Sequence, residues 1–202
     1  MAGEHMEGLG LKLAHKALGF WKGLETGTPD PDEAIVWYER AVKFGSLLAM
    51  NSLGAVYLER KDYENAYHWF LEAAMKGEAD SLYHLGEMYY NGDYVHQDTD
   101  KAFSFFERAY RGGVKNACFY MGCYAEYGLS GKQDMEKALA YYREGVQWGC
   151  AGCAAGLGRC CSLGKGVPRD EEKGREYMRL ARWWGYRETP ELKEKEAEAN
   201  GG

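Results

Sequence analysis

Residues 121–142 read MGCYAEYGLSGKQDMEKALAYY, and this stretch decides the fold because both of its halves recur along the chain. The first half opens on a Met-Gly pair, and the second half ends on Lys-Ala, two further residues and two tyrosines. In both halves the apolar residues recur at helical spacing, which predicts two α-helices joined by a loop. We name the first helix of such a hairpin helix A and the second helix B.

Three further copies precede this hairpin and one follows it. Their Leu-Gly or Met-Gly pairs place a glycine in each helix A, at successive distances of 35, 32, 36 and 36 residues. A fixed period of this length is typical of helical repeat proteins, in which each copy buries its apolar face against its neighbours. The five pairs are Leu18-Gly19, Leu53-Gly54, Leu85-Gly86, Met121-Gly122 and Leu157-Gly158.

Helix B carries a second recurring motif, a small residue followed three and four positions later by two large apolar residues. Among the second to fifth copies, length changes at one place, between helix A and this motif, where the second copy is four residues shorter. Length changes confined to one point indicate a loop. The motif occupies Ala34/Trp37/Tyr38, Ala66/Trp69/Phe70, Ala102/Phe105/Phe106, Ala138/Tyr141/Tyr142 and Gly174/Tyr177/Met178.

The glycine within helix A needs a reason, because it costs a helix about 1 kcal/mol relative to alanine. Its recurrence predicts that an aromatic ring of helix B lies where a Cβ atom would be. A second glycine follows each helix B and fits the left-handed position that commonly ends a helix. These closing glycines are Gly45, Gly77, Gly113, Gly149 and Gly185.

The motifs resemble the Sel1-like repeat (SLR) family, which is related to the tetratricopeptide repeats. The family pattern has Leu-Gly and Tyr in helix A, a Gly-x-Gly-Val-x-x-Asp loop and Lys-Ala-x-x-Trp/Tyr-Tyr in helix B. The fifth copy carries the loop intact at residues 164–170, and the third and fourth copies keep its first glycine and its aspartate, Asp98 and Asp134. These aspartates are expected to cap helix B. The first copy departs from the pattern, with Lys22 at the position of the tyrosine.

The resemblance covers residues 9–187 and implies an all-α fold, a right-handed α-solenoid (superhelix) of about five helix-turn-helix repeats of 32–36 residues. Residues 1–8 are expected to form an N-terminal tail, and the charged residues 188–202 a C-terminal capping helix or tail. The expected repeats are approximately 9–45, 46–77, 78–113, 114–149 and 150–187.

By analogy with related arrays, helix A lines the concave side, so the positions three before, one after and four after its glycine point into a groove. We expect this groove to bind a peptide or a partner protein, which makes the chain an interaction scaffold or adaptor. Aromatic residues at these positions fit packing against the neighbouring repeat equally well. Charged groups are seldom fully buried, so Glu87 and Glu126 are expected outside the core. The predicted partner-binding residues are Asn51, Tyr83, Glu87, Tyr90, Phe119, Glu126 and Arg159.

Cys150-x-x-Cys153, with Cys160 and Cys161 further along, suggests a zinc site. A closed zinc site needs a second pair at matching spacing, which the adjacent Cys160 and Cys161 do not supply, so no metal is expected. A reactive Cys150 at a helix start stays an alternative. Secreted members of the family pair a cysteine late in helix B with one at the start of the next repeat, and those helix B positions hold Ala or Gly here. The missing pairs favour a reducing compartment and hence the cytoplasm.

The composition argues against several other classes of protein. The net charge is −6 at pH 7 and no basic run is present, which argues against nucleic-acid binding. No apolar stretch is long enough to cross a membrane, and the first residues lack the pattern of a signal peptide. A monomer is expected, and an end-to-end dimer through Trp183 and Trp184 is the alternative.

The sequence carries no recognised catalytic motif, so we expect no catalytic residue, no cofactor and no enzyme activity. The alternative is an enzyme or a small-ligand module, because some disulfide-bearing relatives have been proposed to bind cell-wall peptides or to act on β-lactams. Function lies in sites and not in folds, so the repeat architecture alone does not decide between the two.

Overall fold

The computed structural model describes residues 2–24 and 26–187, with side chains from residue 8 onward. Within these residues the chain forms ten α-helices and no strand, which confirms the predicted all-α fold class. The odd-numbered helices are A helices and the even-numbered helices are B helices. Their bounds are α1 Ala2–Trp21, α2 Pro31–Lys43, α3 Leu47–Glu59, α4 Tyr63–Met75, α5 Ala79–Asn91, α6 Thr99–Arg111, α7 Ala117–Tyr127, α8 Met135–Gln147, α9 Ala151–Leu163 and α10 Glu171–Trp183.

The chain forms two compact units, residues 1–105 and 106–202. In the first unit α1 packs against α2 and α3 against α4, and in the second unit α7 packs against α8 and α9 against α10. Helix α1 begins at Ala2, within the segment expected to be an N-terminal tail. The capping helix or tail expected at 188–202 lies outside the described residues.

An aspartate starts every B helix by the same hydrogen bond. The Asp134 carboxylate accepts the N–H of Lys137 at 3.0 Å, and the Asp98 carboxylate accepts the N–H of Lys101 at 2.9 Å. This bond satisfies one of the N–H groups that a helix leaves unpaired at its start, and it confirms the predicted caps. The same bond is made for α2, α4 and α10 by Asp30, Asp62 and Asp170.

The turns between helices follow the predicted glycines. All five closing glycines adopt a positive φ, from 75° at Gly149 to 95° at Gly77. This left-handed conformation suits glycine because it has no Cβ atom. Between helix A and helix B, the third to fifth repeats also have a glycine at positive φ, at Gly92, Gly128 and Gly164. The shortened second repeat turns there through Lys61, a non-glycine residue at φ 60°, so its length change falls in a loop, as predicted.

The glycine of helix A makes room for a ring of helix B. A Cβ atom on Gly54 would lie 2.5 Å from Cδ1 of Phe70, and one on Gly122 would lie 2.6 Å from Cδ1 of Tyr142. Real Cβ atoms almost never approach another atom so closely, and both rings are fully buried. The predicted contact between glycine and ring is therefore confirmed in each unit.

The other side of these rings contacts the A helix of the next repeat. In the first unit the Phe70 ring stacks on His84 with centroids 4.5 Å apart. In the second unit Phe106 stacks on Tyr120 at 4.0 Å. Tyr142 is covered by Gly156, where a Cβ atom would lie 2.9 Å from the ring. The ring of a B helix thus connects two successive repeats, as expected of a stacked array.

The first repeat has a different register from the one predicted. In later repeats the N–H of the capping aspartate donates to the carbonyl of the residue three positions after the helix A glycine, for example Asp98 to Tyr89 at 2.9 Å. In the first repeat Asp30 donates to Phe20 at 2.8 Å. The residue three positions before Phe20 is Ala17, which is fully buried. Ala17 therefore takes the place of the glycine.

The predicted use of Leu18-Gly19, and with it the placement of Lys22 at the tyrosine position, is wrong. Phe20 occupies that position, and its ring stacks on Trp37 as Tyr89 stacks on Phe105 in the third repeat. A Leu-Gly pair two residues beyond the true position produced the error.

Candidate functional site

Helix α5 carries a carboxylate that two neighbouring side chains hold in place. The Tyr83 hydroxyl donates to Oε1 of Glu87 at 2.8 Å, and Nδ1 of His84 lies 3.3 Å from Oε2. His84 is itself fixed by its stacking on Phe70. The Glu87 side chain nevertheless remains 28% exposed. The carboxylate is therefore oriented by the protein and still accessible to a ligand.

Three predicted site residues share one face of α5, because Tyr83, Glu87 and Tyr90 are spaced by four and three residues. All three are partly buried. Asn51 of α3 is linked to α5 by a hydrogen bond. The Oγ of the buried Ser81 in α5 donates to Oδ1 of Asn51 at 2.9 Å. The structure thus brings four predicted residues of the first unit onto two neighbouring A helices.

In the second unit, Glu126 lies at the centre of a buried network of charged and polar groups. Its Oε2 accepts hydrogen bonds from the Tyr142 hydroxyl at 2.8 Å and from Nη2 of Arg159 at 3.1 Å. Nζ of Lys165 lies 3.7 Å from Oε1, and the Lys165 ammonium is 5.8 Å from the centre of the Tyr127 ring. The network therefore ties α7, α8 and α9 together.

Two groups of this network titrate outside their ordinary ranges. Burial raises the pKa of Tyr142 well above its usual value, and the nearby Cys123 and Glu126 add to this effect. Burial acts to lower the pKa of Arg159, but Glu126, Tyr142 and Tyr127 together outweigh it and raise the pKa of the guanidinium. Arg159 is therefore charged at every physiological pH, as a guanidinium normally is.

The expectation that Glu126 lies outside the core is wrong. The residue is 0% exposed, because Arg159 and Tyr142 supply the partners that a buried charge requires. Glu126 can therefore affect a ligand only through the residues it holds. Phe119 is partly buried, and a Cβ atom on Gly152 of α9 would lie 2.8 Å from its ring, so Phe119 combines packing with a partial exposure.

Sequence reasoning missed three residues of these two clusters. His84 lies two positions before the glycine of its helix, at the position that covers the ring of the previous repeat. That position also holds Tyr120 and Gly156, so its side chain varies too much to be noticed as a motif. The helix B motif predicts Tyr142 as a core ring, but it carries no signal that the hydroxyl binds Glu126. Lys165 lies in a loop motif and gives no signal of its own.

Three cysteines lie close together in the second unit. A Cβ atom on Gly145 would approach both Cys153 and Cys118, and Cys150 is the N-cap of α9. The Cys153 thiol lowers the pKa of Cys150 through a hydrogen bond and has its own pKa raised. Burial raises the pKa of Cys118 to about 12. Within the residues that the structure describes, no group of three or more His, Cys, Asp or Glu side chains is arranged to hold a metal ion.

Comparison with known proteins identifies the family. The model of the Sel1 repeat matches five segments that coincide with the five helix pairs and cover most of the chain, residues 11–43, 47–78, 79–114, 115–146 and 151–182. The chain is a Sel1 repeat protein. Sel1 repeats are in general non-catalytic modules of protein–protein interaction. A comparison with curated proteins gives no match.

Two solved structures support this assignment and its fold. A Sel1 repeat protein from Oxalobacter formigenes is 28% identical, with a TM-score of 0.75, over 88% of this chain and 74% of that one. The antigen c5321 of uropathogenic Escherichia coli, described as a protective antigen with an SLR fold, is 26% identical with a TM-score of 0.67. That match covers 86% of this chain but only 38% of the longer antigen.

The length and composition of the helices in the described residues show whether any of them could span a membrane. None of them combines the length and the apolar composition that a membrane-spanning helix requires.

Proposed function

We propose that this Sel1 repeat protein is an interaction scaffold that binds a peptide segment of a partner protein on the A helices. The observation that supports this proposal most directly is the geometry of Glu87, a partly exposed carboxylate oriented by Tyr83 and His84. A carboxylate already fixed in place loses little conformational freedom on binding. It is also flanked by tyrosines, which are enriched where proteins bind one another.

The chemistry of this face favours a peptide with hydrogen-bond donors. A carboxylate only accepts hydrogen bonds, so Glu87 suits backbone N–H groups or a Lys or Arg side chain. The net charge of −6 also favours a partner with basic side chains, because opposite charges attract. Asn51 and Tyr90 add an amide and an aromatic ring on the same two helices. We therefore assign Asn51, Tyr83, Glu87 and Tyr90 to peptide contact in the first unit.

The second unit is assigned a separate role in the same function. The Arg159 side chain is 16% exposed, and Phe119 is partly buried. Each can therefore contact a partner only through the part of its side chain that remains exposed. Glu126 is buried and contributes by holding Arg159 in place. Arg159 and Phe119 are thus proposed contact residues, and Glu126 a positioning residue.

The test uses affinity capture with the full chain as bait, followed by quantitative mass spectrometry. We expect Glu87→Lys/Tyr90→Ala to reduce recovery of the specific partner at least about tenfold, a loss of 1.4 kcal/mol or more. The matched control is Glu39→Lys, which changes the charge equally at an exposed position of α2. Circular dichroism establishes that each bait is folded. Equal recovery of every captured protein by both variants would refute the assignment of this face.

The proposed compartment is the reducing cytoplasm. All six cysteines are free, and five of them are buried, which supports a protein that does not depend on disulfides. The monomeric state also stays a prediction, and light scattering of the full chain would measure it. A mass of twice the chain would favour the alternative dimer through Trp183 and Trp184.

A further inference from the structure

The fifth repeat presents a side that is covered in the preceding repeat. In the fourth repeat, this side is covered by α9, which contacts it through two glycines one helical turn apart. A Cβ atom on Gly152 would come within 2.8 Å of Phe119, and one on Gly156 within 2.9 Å of Tyr142. Small residues at this spacing thus allow one A helix to lie close against the preceding repeat. In the described part of the chain, no helix lies at the equivalent position on the fifth repeat.

A cleft of about 250 Å³ lies at that position. Its lining consists of Ala155, Gly158, Arg159, Ser162 and Leu163 of α9, Met178 of α10, and Tyr186. Met178 is the equivalent of Tyr142, because its Cγ would be 2.9 Å from a Cβ atom on Gly158. The cleft therefore has the small, largely apolar floor on which an A helix rests in the preceding repeat.

A second cleft of about 490 Å³ shares Ser162 and Met178 with the first and extends along α10. This second cleft is more strongly charged than the first, because three arginines and the negatively charged Glu172 line it. The arginines follow one another at helical spacing and are all exposed, at Arg175, Arg179 and Arg182. The docking surface is thus an apolar floor with a basic edge, in a protein whose net charge is −6.

We propose that this surface, formed by α9 and α10, binds an acidic α-helix of a partner protein. The small residues of that helix lie over Met178 as Gly156 lies over Tyr142, and its Asp or Glu side chains pair with the arginines of α10. Opposite charges across such an edge fix the orientation of the partner and speed its approach. This surface is distinct from the face of α3 and α5, and it shares only Arg159 with the contact residues proposed for the second unit. The inference rests on Met178 and the three arginines of α10, which take no part in that function.

Charge also argues against a second copy of this chain as the occupant. A head-to-tail copy would offer the first A helix, α1, to this surface. The exposed face of α1 carries the charged Lys12 and Lys16. These side chains would meet the three arginines of α10, and like charges brought together across an interface disfavour the complex.

The test measures binding of a synthetic peptide to the full chain by fluorescence anisotropy. The peptide is an amphipathic helix of about 20 residues, long enough to form in isolation, with alanines on one face and glutamates beside them. We expect saturable binding that weakens with salt. We also expect Arg175→Glu/Arg179→Glu/Arg182→Glu to reduce the affinity at least about tenfold.

The controls separate this edge from general charge attraction. The matched variant is Arg40→Glu/Arg111→Glu/Arg143→Glu, which reverses three exposed arginines on other B helices. It changes the net charge by the same amount. It should bind as the native chain does. A matched peptide with lysines in place of the glutamates should not bind. Equal losses in the two triple variants, or equal binding of the two peptides, would overturn the proposal.

A further variant tests the floor of the cleft. Leu163→Glu places a carboxylate in the lining of the smaller cleft, at a side chain that is 59% exposed, so we expect it to weaken binding of the acidic peptide while circular dichroism stays unchanged. Undiminished binding by this variant would contradict the assigned surface. Binding that occurs only after removal of residues 188–202 would overturn the choice of a partner, and would assign the surface to the glutamate-rich end of this chain.

Discussion

Replacing Gly54 by alanine is the most direct test of how the repeats pack. The new Cβ atom would lie 2.5 Å from Cδ1 and Cε1 of Phe70, a rigid and fully buried ring. Overpacking of a core costs about 1–3 kcal/mol, and a contact this short places Gly54→Ala at the upper end. Against this loss, alanine improves helix propensity by about 1 kcal/mol. We therefore expect a net loss of about 2 kcal/mol in the free energy of unfolding.

Urea denaturation followed by circular dichroism measures this change. The matched control is Gly8→Ala in α1, where a Cβ atom would have no neighbour within 4 Å. It should gain about 1 kcal/mol from propensity alone. The sign of the effect thus distinguishes a glycine kept for space from one that is not.

A double-mutant cycle assigns the loss to the ring. In a Phe70→Leu background the side chain is smaller and can turn away, so Gly54→Ala should cost little or become stabilising. The coupling between the two positions should then be about 2–3 kcal/mol, the overpacking cost itself. If Gly54→Ala is as stable as the native chain, or equally harmful with and without the ring, the space argument is refuted.

Three further predictions concern single groups. Asp62→Ala removes the capping bond of α4 and should cost about 1 kcal/mol in urea denaturation, whereas Asp62→Asn should retain most of it. Arg159→Met leaves Glu126 charged and buried without its main partner, so a loss of about 3–5 kcal/mol is expected, and the added change Glu126→Gln should recover part of it. A hydrogen bond with Tyr89 raises the pKa of Tyr67 to about 12 from 10.0. Because this pKa is higher in the folded chain, the contribution of Tyr67 to stability is complete below pH 10 and is lost as the pH rises towards 12. Tyr89→Phe should reduce that dependence in denaturation measured across the same pH range.

The fold was predictable because its decisive contacts are encoded by short motifs. The pairing of Gly54 with Phe70 requires only that a glycine and an aromatic residue recur at fixed spacing. The caps of the B helices are equally local, since an aspartate bonds to an N–H three residues later. The register of the first repeat was not predictable from the motif, because a chance Leu-Gly pair lies two residues beyond Ala17.

The candidate site was predictable only in part, because its properties depend on distant residues. The spacing of Tyr83, Glu87 and Tyr90 placed them on one face of a helix, and the structure agrees. The burial of Glu126 could not be read in the same way. It follows from Arg159, which lies 33 residues further along the chain, and from the Tyr142 hydroxyl. A periodicity shows which positions are neighbours, but not whether a charge there finds a partner.

The position of the aromatic rings has a consequence for how the chain is divided in experiments. Phe70 of α4 contacts α3 through Gly54 and α5 through His84. A fragment that stops at Gly77 contains the whole second repeat but exposes one side of that ring, whereas a fragment that stops at Asn91 keeps both sides covered. Soluble truncations and grafted arrays should therefore be cut after an A helix, half a repeat beyond the boundary that the motifs suggest.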